Sequence, residues 1–167
     1  EGGTFIGNGA SYTSLTGGPS TRMIGTTFIG TSSGHVGVNS TTLINCTSYT
    51  NSGMAFFCNA GILFNCVGES VSAIGIRAST GNNIITNCTG ASASNYGMRI
   101  GGASSTSFTK AKGCIGYSGT NYGIYADGFS ELRNSDGQSG SLAGGYFASI
   151  VLGGAHNKPR IYNSTFM

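Results

Sequence analysis

Between Leu43 and Asp127 the chain repeats one phrase four times: LINCTSYTNSGMAF, LFNCVGESVSAIGIRAS, ITNCTGASASNYGMRIG and AKGCIGYSGTNYGIYAD. Each copy opens on an apolar residue and an Asn-Cys step, at Asn45-Cys46, Asn65-Cys66 and Asn87-Cys88, with Gly113-Cys114 in the fourth. Each then reaches a Gly-hydrophobic step, at Gly53-Met54, Gly75-Ile76, Gly97-Met98 and Gly123-Ile124. Self-similarity at about 16 to 26 residues confines the fold to a solenoid, whose single repeats cannot bury their apolar face until they stack.

The repeats read as strands. Their apolar positions alternate over four or five residues and stop, whereas an amphipathic helix needs matches three and four apart over at least ten residues or so. Two short strand-like pieces per repeat, joined by Gly/Ser/Asn/Thr turns, give a parallel β-helix with coils about 4.8 Å apart. The pattern extends beyond the clear copies. Phe5-Ile6-Gly7 matches Phe28-Ile29-Gly30, and Leu15 falls where Val38 does, with Ile29 and Gly30 in the Asn and Cys places. Later, Leu132-Arg133-Asn134-Ser135, Gly145-Tyr146-Phe147-Ala148 and Ile161-Tyr162-Asn163-Ser164 continue it with Ser in the Cys place. The expectation is one domain over residues 1–167: a degenerate first coil (1–25), regular coils (26–148), then a loop and a last partial coil (149–167). That makes about seven to eight coils, with loops at Gly101 to Thr109 and Val151 to Arg160.

In-register stacking predicts the chemistry of the columns. Asn tolerates the left-handed backbone of a sharp bend, and its amide can bond to the Asn above and below; Gly113 takes the same conformation without strain. Asn45, Asn65 and Asn87 thus form a structural ladder. Three sequons (Asn45-Cys46-Thr47, Asn87-Cys88-Thr89, Asn163-Ser164-Thr165) are discounted because a buried ladder cannot carry glycans. Cys46, Cys66, Cys88 and Cys114 share a column with parallel Cβ vectors about 4.8 Å apart, whereas a disulfide needs converging Cβ atoms near 3.8 Å. They are expected as free buried thiols, with Cys58 packed too. No CxxC pair exists to hold zinc, and no cofactor is expected.

Charged residues are 8% of the chain against 38% hydrophobic, and the net charge of +3 comes without a basic run. Such a balance gives no warrant for nucleic-acid binding, and no apolar run reaches the length of a membrane span. The N-terminus lacks a signal-peptide plan, so a removed leader or an excised segment is expected.

The pattern [LI]-x-N-C-x(n)-G-[IM]-x-[IA] resembles the repeat of right-handed parallel β-helices in the pectate-lyase-like superfamily, over about Thr26 to Ala148. Within that superfamily, its Gly/Ser/Thr/Asn-rich, charge-poor texture is similar to bacteriophage tailspikes and tail fibres. The resemblance implies a homotrimeric appendage in the virion, extracellular, in contact with other tail proteins and host surface polysaccharide. Pectate lyases carry an Asp cluster for calcium and a catalytic Arg; this sequence has no such cluster.

Glycoside hydrolysis needs two carboxyl groups about 5 to 9.5 Å apart, and the supply is Glu1, Glu69, Asp127, Glu131 and Asp136. Asp127, after a strand, and Glu131, in the next turn, are the best available catalytic pair; the competing reading makes both solvated turn residues. Glu69 reads as solvent-facing. His35 and His156 stand in Gly/Ser/Asn surroundings and read as surface residues.

The most suggestive surface feature is a column of outward residues: Ala55, Arg77, Arg99, Tyr125 and Phe147, each one place after the inward Met54, Ile76, Met98, Ile124 and Tyr146. Stacked Arg77 and Arg99 repel and need an offset, from water, a carboxylate of another chain or an anionic ligand. With Tyr125 they form either a strip for anionic glycan or a subunit contact. Tyr96 and Tyr122 are expected to pack inward or at a corner.

Three function classes remain. One is a non-catalytic structural or receptor-binding tail segment; another is a tailspike depolymerase using Asp127 and Glu131. The third is a secreted adhesin or ice-binding solenoid, ranked last because no Thr column is legible.

Overall fold

The computed structural model describes all residues except 1, 8–12, 17–20, 31–35, 102–106, 142–143, 148–149, 153–154 and 158. Every regular element among the described residues is a strand. Among the described residues no helix is long and apolar enough to cross a membrane. Strands succeed one another in threes, and every third strand pairs in parallel with the one a coil earlier, so the chain winds into three walls. Wall A has eight strands, Thr4–Gly7 to Thr165–Phe166. Wall B has seven, Thr13–Thr16 to Gly145–Phe147. Wall C has seven, Arg22–Ile24 to Arg160–Tyr162. This is a parallel β-solenoid.

Each coil therefore holds three strands, not two. The uncounted one is wall A, drawn from the polar run after each Asn-Cys step, such as Val67–Ser70 and Thr89–Ser92. Its inward positions are Gly68, Gly90, Gly116 and Gly137, followed by Ser70, Ser92, Ser118 and Ser139. Glycine is required there because wall A runs hard against the start of wall B. A Cβ on Gly90 would lie 2.3 Å from the Gly97 carbonyl oxygen, and one on Gly97 would lie 2.4 Å from the Tyr117 backbone. The coils before Gly68 differ: Phe28 and then Ser48 stand in the first glycine's place and Ala55 in the second's, and the Ser48 hydroxyl donates to the Ala55 carbonyl at 2.8 Å. The following serines tie turn to turn. Ser92 accepts from the Asn95 N–H at 2.9 Å and donates to the Ala73 carbonyl of the preceding coil at 2.7 Å; Ser118 repeats this with Asn121 and Asn95.

Period-two alternation fills the interior from the other walls. Phe56, Ile76, Met98 and Ile124 of wall B face Leu43, Leu63, Ile85 and Leu132 of wall C, all essentially solvent-free. The filled interior runs from Phe28 to Leu132, about five turns rather than the seven to eight expected. At its ends the walls lengthen through strands whose apolar side chains, Met23, Ile161 and Phe166, are only partly buried.

The first coil pairs in the expected register, Phe5 on Phe28 and Leu15 on Val38. Its neighbour's Asn and Cys places, however, belong to Gly25 and Thr26 rather than Ile29 and Gly30, because Gly25 takes the left-handed bend, φ +62°. Within the expected loop at Val151 to Arg160, Ile150–Leu152 and Ala155–Asn157 pair as an antiparallel hairpin.

Candidate functional site

The two columns of the Asn-Cys step have distinct jobs. Asn45, Asn65, Asn87, Asn134 and Asn163 all sit in the left-handed region, φ +45° to +53°, and Gly25 and Gly113 hold the same place at +62° and +63°. Their backbone N–H groups donate down the column, Asn45 to Phe64 and Asn65 to Thr86, each at 3.0 Å. The side chains of Asn45, Asn65 and Asn87 are exposed, and no side-chain hydrogen bond of theirs is found. The ladder is a backbone one at the surface, so burial gives no ground for discounting the sequons. The buried amide is Asn83, at the start of a wall C strand. Its Oδ1 accepts from Gly61 N–H at 3.0 Å and its Nδ2 donates to Thr80 O at 2.8 Å.

The residue after each bend points inward. All five cysteines, Cys58 included, are free and buried. Each column thiol donates to the carbonyl two residues earlier, Cys46 to Ile44 (3.4 Å), Cys66 to Phe64 (3.4 Å), Cys88 to Thr86 (3.2 Å) and Cys114 to Lys112 (3.4 Å). Ser135 and Ser164 do the same with hydroxyls. Burial pushes the Cys114 thiol up to about 11, and Cys58 is raised for the same reason. Cys58 and Cys114 are thus packing units rather than nucleophiles.

Wall B carries the candidate site on its outer face. Alternation turns Ile76, Ala78, Met98, Ile100, Ile124 and Ala126 inward, leaving Arg77, Arg99 and Tyr125 outward and in register with one another. The same register position holds Ser14, Gly37, Phe57 and Tyr146 in the other strands. Ala55 and Phe147 are therefore not members: Ala55 is fully buried and aligns with Gly75, and Gly144 rather than Gly145 is the last coil's landmark.

The arginine repulsion is offset within the chain. Asp127, at the end of its wall B strand and one coil beyond Arg99, binds that guanidinium at 3.1 Å (Nη2) and 3.3 Å (Nε). The Asp127 side chain keeps only 10% of its exposure. Its backbone is fixed by its N–H to Ile100 O (2.8 Å) and by Ser130 Oγ to its own carbonyl (2.6 Å). Arg99 also lies 5.2 Å from the Tyr125 ring centroid and Arg77 5.5 Å from that of Phe57, so cation–π contacts continue along the column. Arg77 has no ion pair among the described residues; its Nε donates to Ser79 at 3.1 Å. Burial, then the neighbouring Arg99, lowers its pKa.

Tyr96 and Tyr122 are not core residues. They are half-buried at the wall A–wall B corner, stacked with centroids 6.3 Å apart, and Tyr96 also meets Tyr125 at 4.8 Å. Burial, then Asp127, raises the Tyr125 hydroxyl pKa. The result is a cationic strip edged by three tyrosines. Its guanidiniums can donate to a carboxylate or sulfate, and its rings can support a sugar face.

Asp127 and Glu131 do not share an environment. Glu131 lies on the outer face of wall C, in a strand rather than a turn, where the Arg133 Nε donates to it at 2.6 Å and holds its carboxyl below the usual range. Each carboxylate is thus engaged by its own arginine. Glu69 is exposed on wall A. Glu1 and His35 lie outside the described residues, as does the side chain of His156. Among the described residues no group of three His, Cys, Asp or Glu is placed to hold a metal. No family model, curated protein or solved structure matches the chain.

Proposed function

We propose that this chain is a rigid, non-catalytic shaft segment of a bacteriophage tail spike or tail fibre, a right-handed β-helix of the pectate-lyase-like kind. In this reading its wall B strip touches host surface glycan. The observation that carries it is the strip itself: Arg77 without a carboxylate partner among the described residues, beside Arg99 and the Tyr96–Tyr125 pair. Association of three copies in the virion is supported by wall C, where Ile24, Ile62, Phe64 and Ile84 stand exposed on three of four successive strands with Ile44 half-buried between them, an apolar face of the sort that marks protein contacts.

The test is an array of bacterial capsular and O-antigen polysaccharides probed with the wild type and Arg77→Ala, with light scattering run alongside. The reading expects binding to at least one anionic polysaccharide, lost in the variant while a trimer persists. Binding to none, or a variant that merely dissociates the trimer, removes the glycan role. Release of oligosaccharides by the wild type would instead favour the depolymerase, with Asp127 and Glu131 the first residues to replace.

A second reading, a secreted adhesin or ice-binding solenoid, gains from wall A. Thr4, Thr27, Thr47, Thr89 and Thr165 stack in one outward column, interrupted by Val67, Ile115 and Asp136. The companion column reads Ile6, Ile29, Tyr49, Glu69, Ala91, Tyr117 and Gln138, so Thr-x-Thr rows are absent from the described face. Ice recrystallisation inhibition abolished by Thr47→Val and Thr89→Val together would establish it.

A further inference from the structure

Sequence order hides a basic face that the register assembles. Three consecutive wall C strands, Thr109–Lys112, Ser130–Arg133 and Arg160–Tyr162, pair so that Lys110, Glu131 and Arg160 form one outward column and Lys112, Arg133 and Tyr162 the next. Four cations and one acid thus occupy three strands at about 4.8 Å spacing. Lys110, Lys112, Arg133 and Arg160 are exposed. The single acid is already committed, since Arg133 holds Glu131 at 2.6 Å, and the fields of Lys110 and Arg160 reach it as well. Like charges in register are unfavourable, and among the described residues Arg133–Glu131 is the one ion pair on this face.

We propose that this face of wall C binds an acidic polysaccharide laid along the solenoid axis. A linear polyanion suits it because the cations run in columns parallel to the axis and three positive charges remain after Glu131 is counted. Nucleic acid is the poorer fit. Unspecific strands are held by open aromatic platforms as well as charge, and Tyr162, the patch's aromatic ring, is already covered by the Arg133 guanidinium at 4.4 Å. Anionic bilayers call for apolar side chains to insert, and the outward positions of these three strands hold no aliphatic residue. The site lies on a different wall from the Arg77–Arg99 strip and does not depend on it.

The experiment titrates polygalacturonate oligosaccharide, neutral dextran, single-stranded oligothymidylate and phosphatidylglycerol vesicles into the intact chain at about 20 and about 200 mM salt. Counterion release from about three cations gives a logarithmic salt slope near 2, so polygalacturonate should bind about 100-fold more weakly at the higher salt, and dextran should not bind. Lys110→Ala with Lys112→Ala should lower that slope by about 1.4. Glu131→Gln should tighten binding about fivefold, the effect of removing one like charge at about 4 Å in water. Arg22→Ala, which removes an exposed cation four strands along wall C from Lys110, should leave the slope unchanged. The proposal is overturned by absence of polygalacturonate binding at low salt, by binding that follows Arg77 rather than the two lysines, or by tighter binding of oligothymidylate or vesicles. All substituted positions on wall C are surface ones, and circular dichroism verifies that the variants are folded.

Discussion

Replacing Asn65 separates a backbone requirement from a side-chain one. Asn65 sits at φ +52°, where an ordinary L-residue pays about 1 to 2 kcal/mol because Cβ crowds the following carbonyl, while Asn tolerates it and Gly does so freely. Its side chain is exposed and no hydrogen bond of it is found, so removing the amide opens no cavity and strands no partner. Asn65→Ala should therefore cost about 1 kcal/mol. Asn65→Gly should stay within about 0.5 kcal/mol of wild type, relief of strain being set against the greater freedom of the unfolded chain. Asn65→Val should cost about 2 kcal/mol. Gly25 and Gly113 already occupy this place at φ +62° and +63°. Urea midpoints give the ranking, and in a chain of this size the alanine effect amounts to about 2 to 4 °C in Tm. Asn45→Ala and Asn134→Ala, four coils or about 19 Å apart, should add. If glycine proves as damaging as alanine, stacked amides rather than the left-handed bend hold the column, and the reasoning fails.

Other consequences follow from the buried groups. Cys114, at about 11 in the folded chain against an ordinary 9.0, contributes stability that is fully present below about pH 9 and lost as pH rises towards 11. Up to about 3 kcal/mol should go, seen as a falling urea midpoint between pH 8 and 11 that Cys114→Ser moderates. Cys88→Ala should cost about 2 kcal/mol, since it strands both the Thr86 carbonyl contact and the Cys66 N–H that bonds Cys88 Sγ. Cys88→Ser should cost less than half of that, because Ser135 already makes the same bond in the column. Asp127→Ala should cost about 1 to 3 kcal/mol by leaving Arg99 beside Arg77 without its carboxylate, a loss that Arg99→Gln in the same chain should reduce in thermal melts.

What the sequence reveals and conceals has a physical division. Wall C, the bend and much of wall B are legible because aliphatic alternation and the narrow choice of Asn or Gly at a left-handed bend both leave marks in the one-dimensional string. Wall A leaves few beyond the Phe5–Phe28 match at its start: its inward places are Gly90 and Ser92 in one coil and Ser48 and Thr50 in another, chosen for close approach and turn hydrogen bonds rather than apolarity. The arginine column is found from alternation, yet its ends slip because Ala55 does a glycine's job in one coil and Gly144 precedes Gly145 in another. Asp127 lies 28 residues from its partner Arg99. Only the register brings the two together, as it does Lys112 with Arg133, so neither the offset nor the basic face shows in the sequence.

The central claim is vertical register, and a distance along one column tests it directly. Thr47 and Thr165 both lie on the outward Thr column of wall A, five strands apart. Cysteines placed there react with a nitroxide reagent while the five native thiols stay buried, so double electron–electron resonance reads one pair. The account predicts a single narrow distribution centred at about 24 Å, allowing for the label arms. A broad distribution, or a centre beyond about 35 Å, would contradict it.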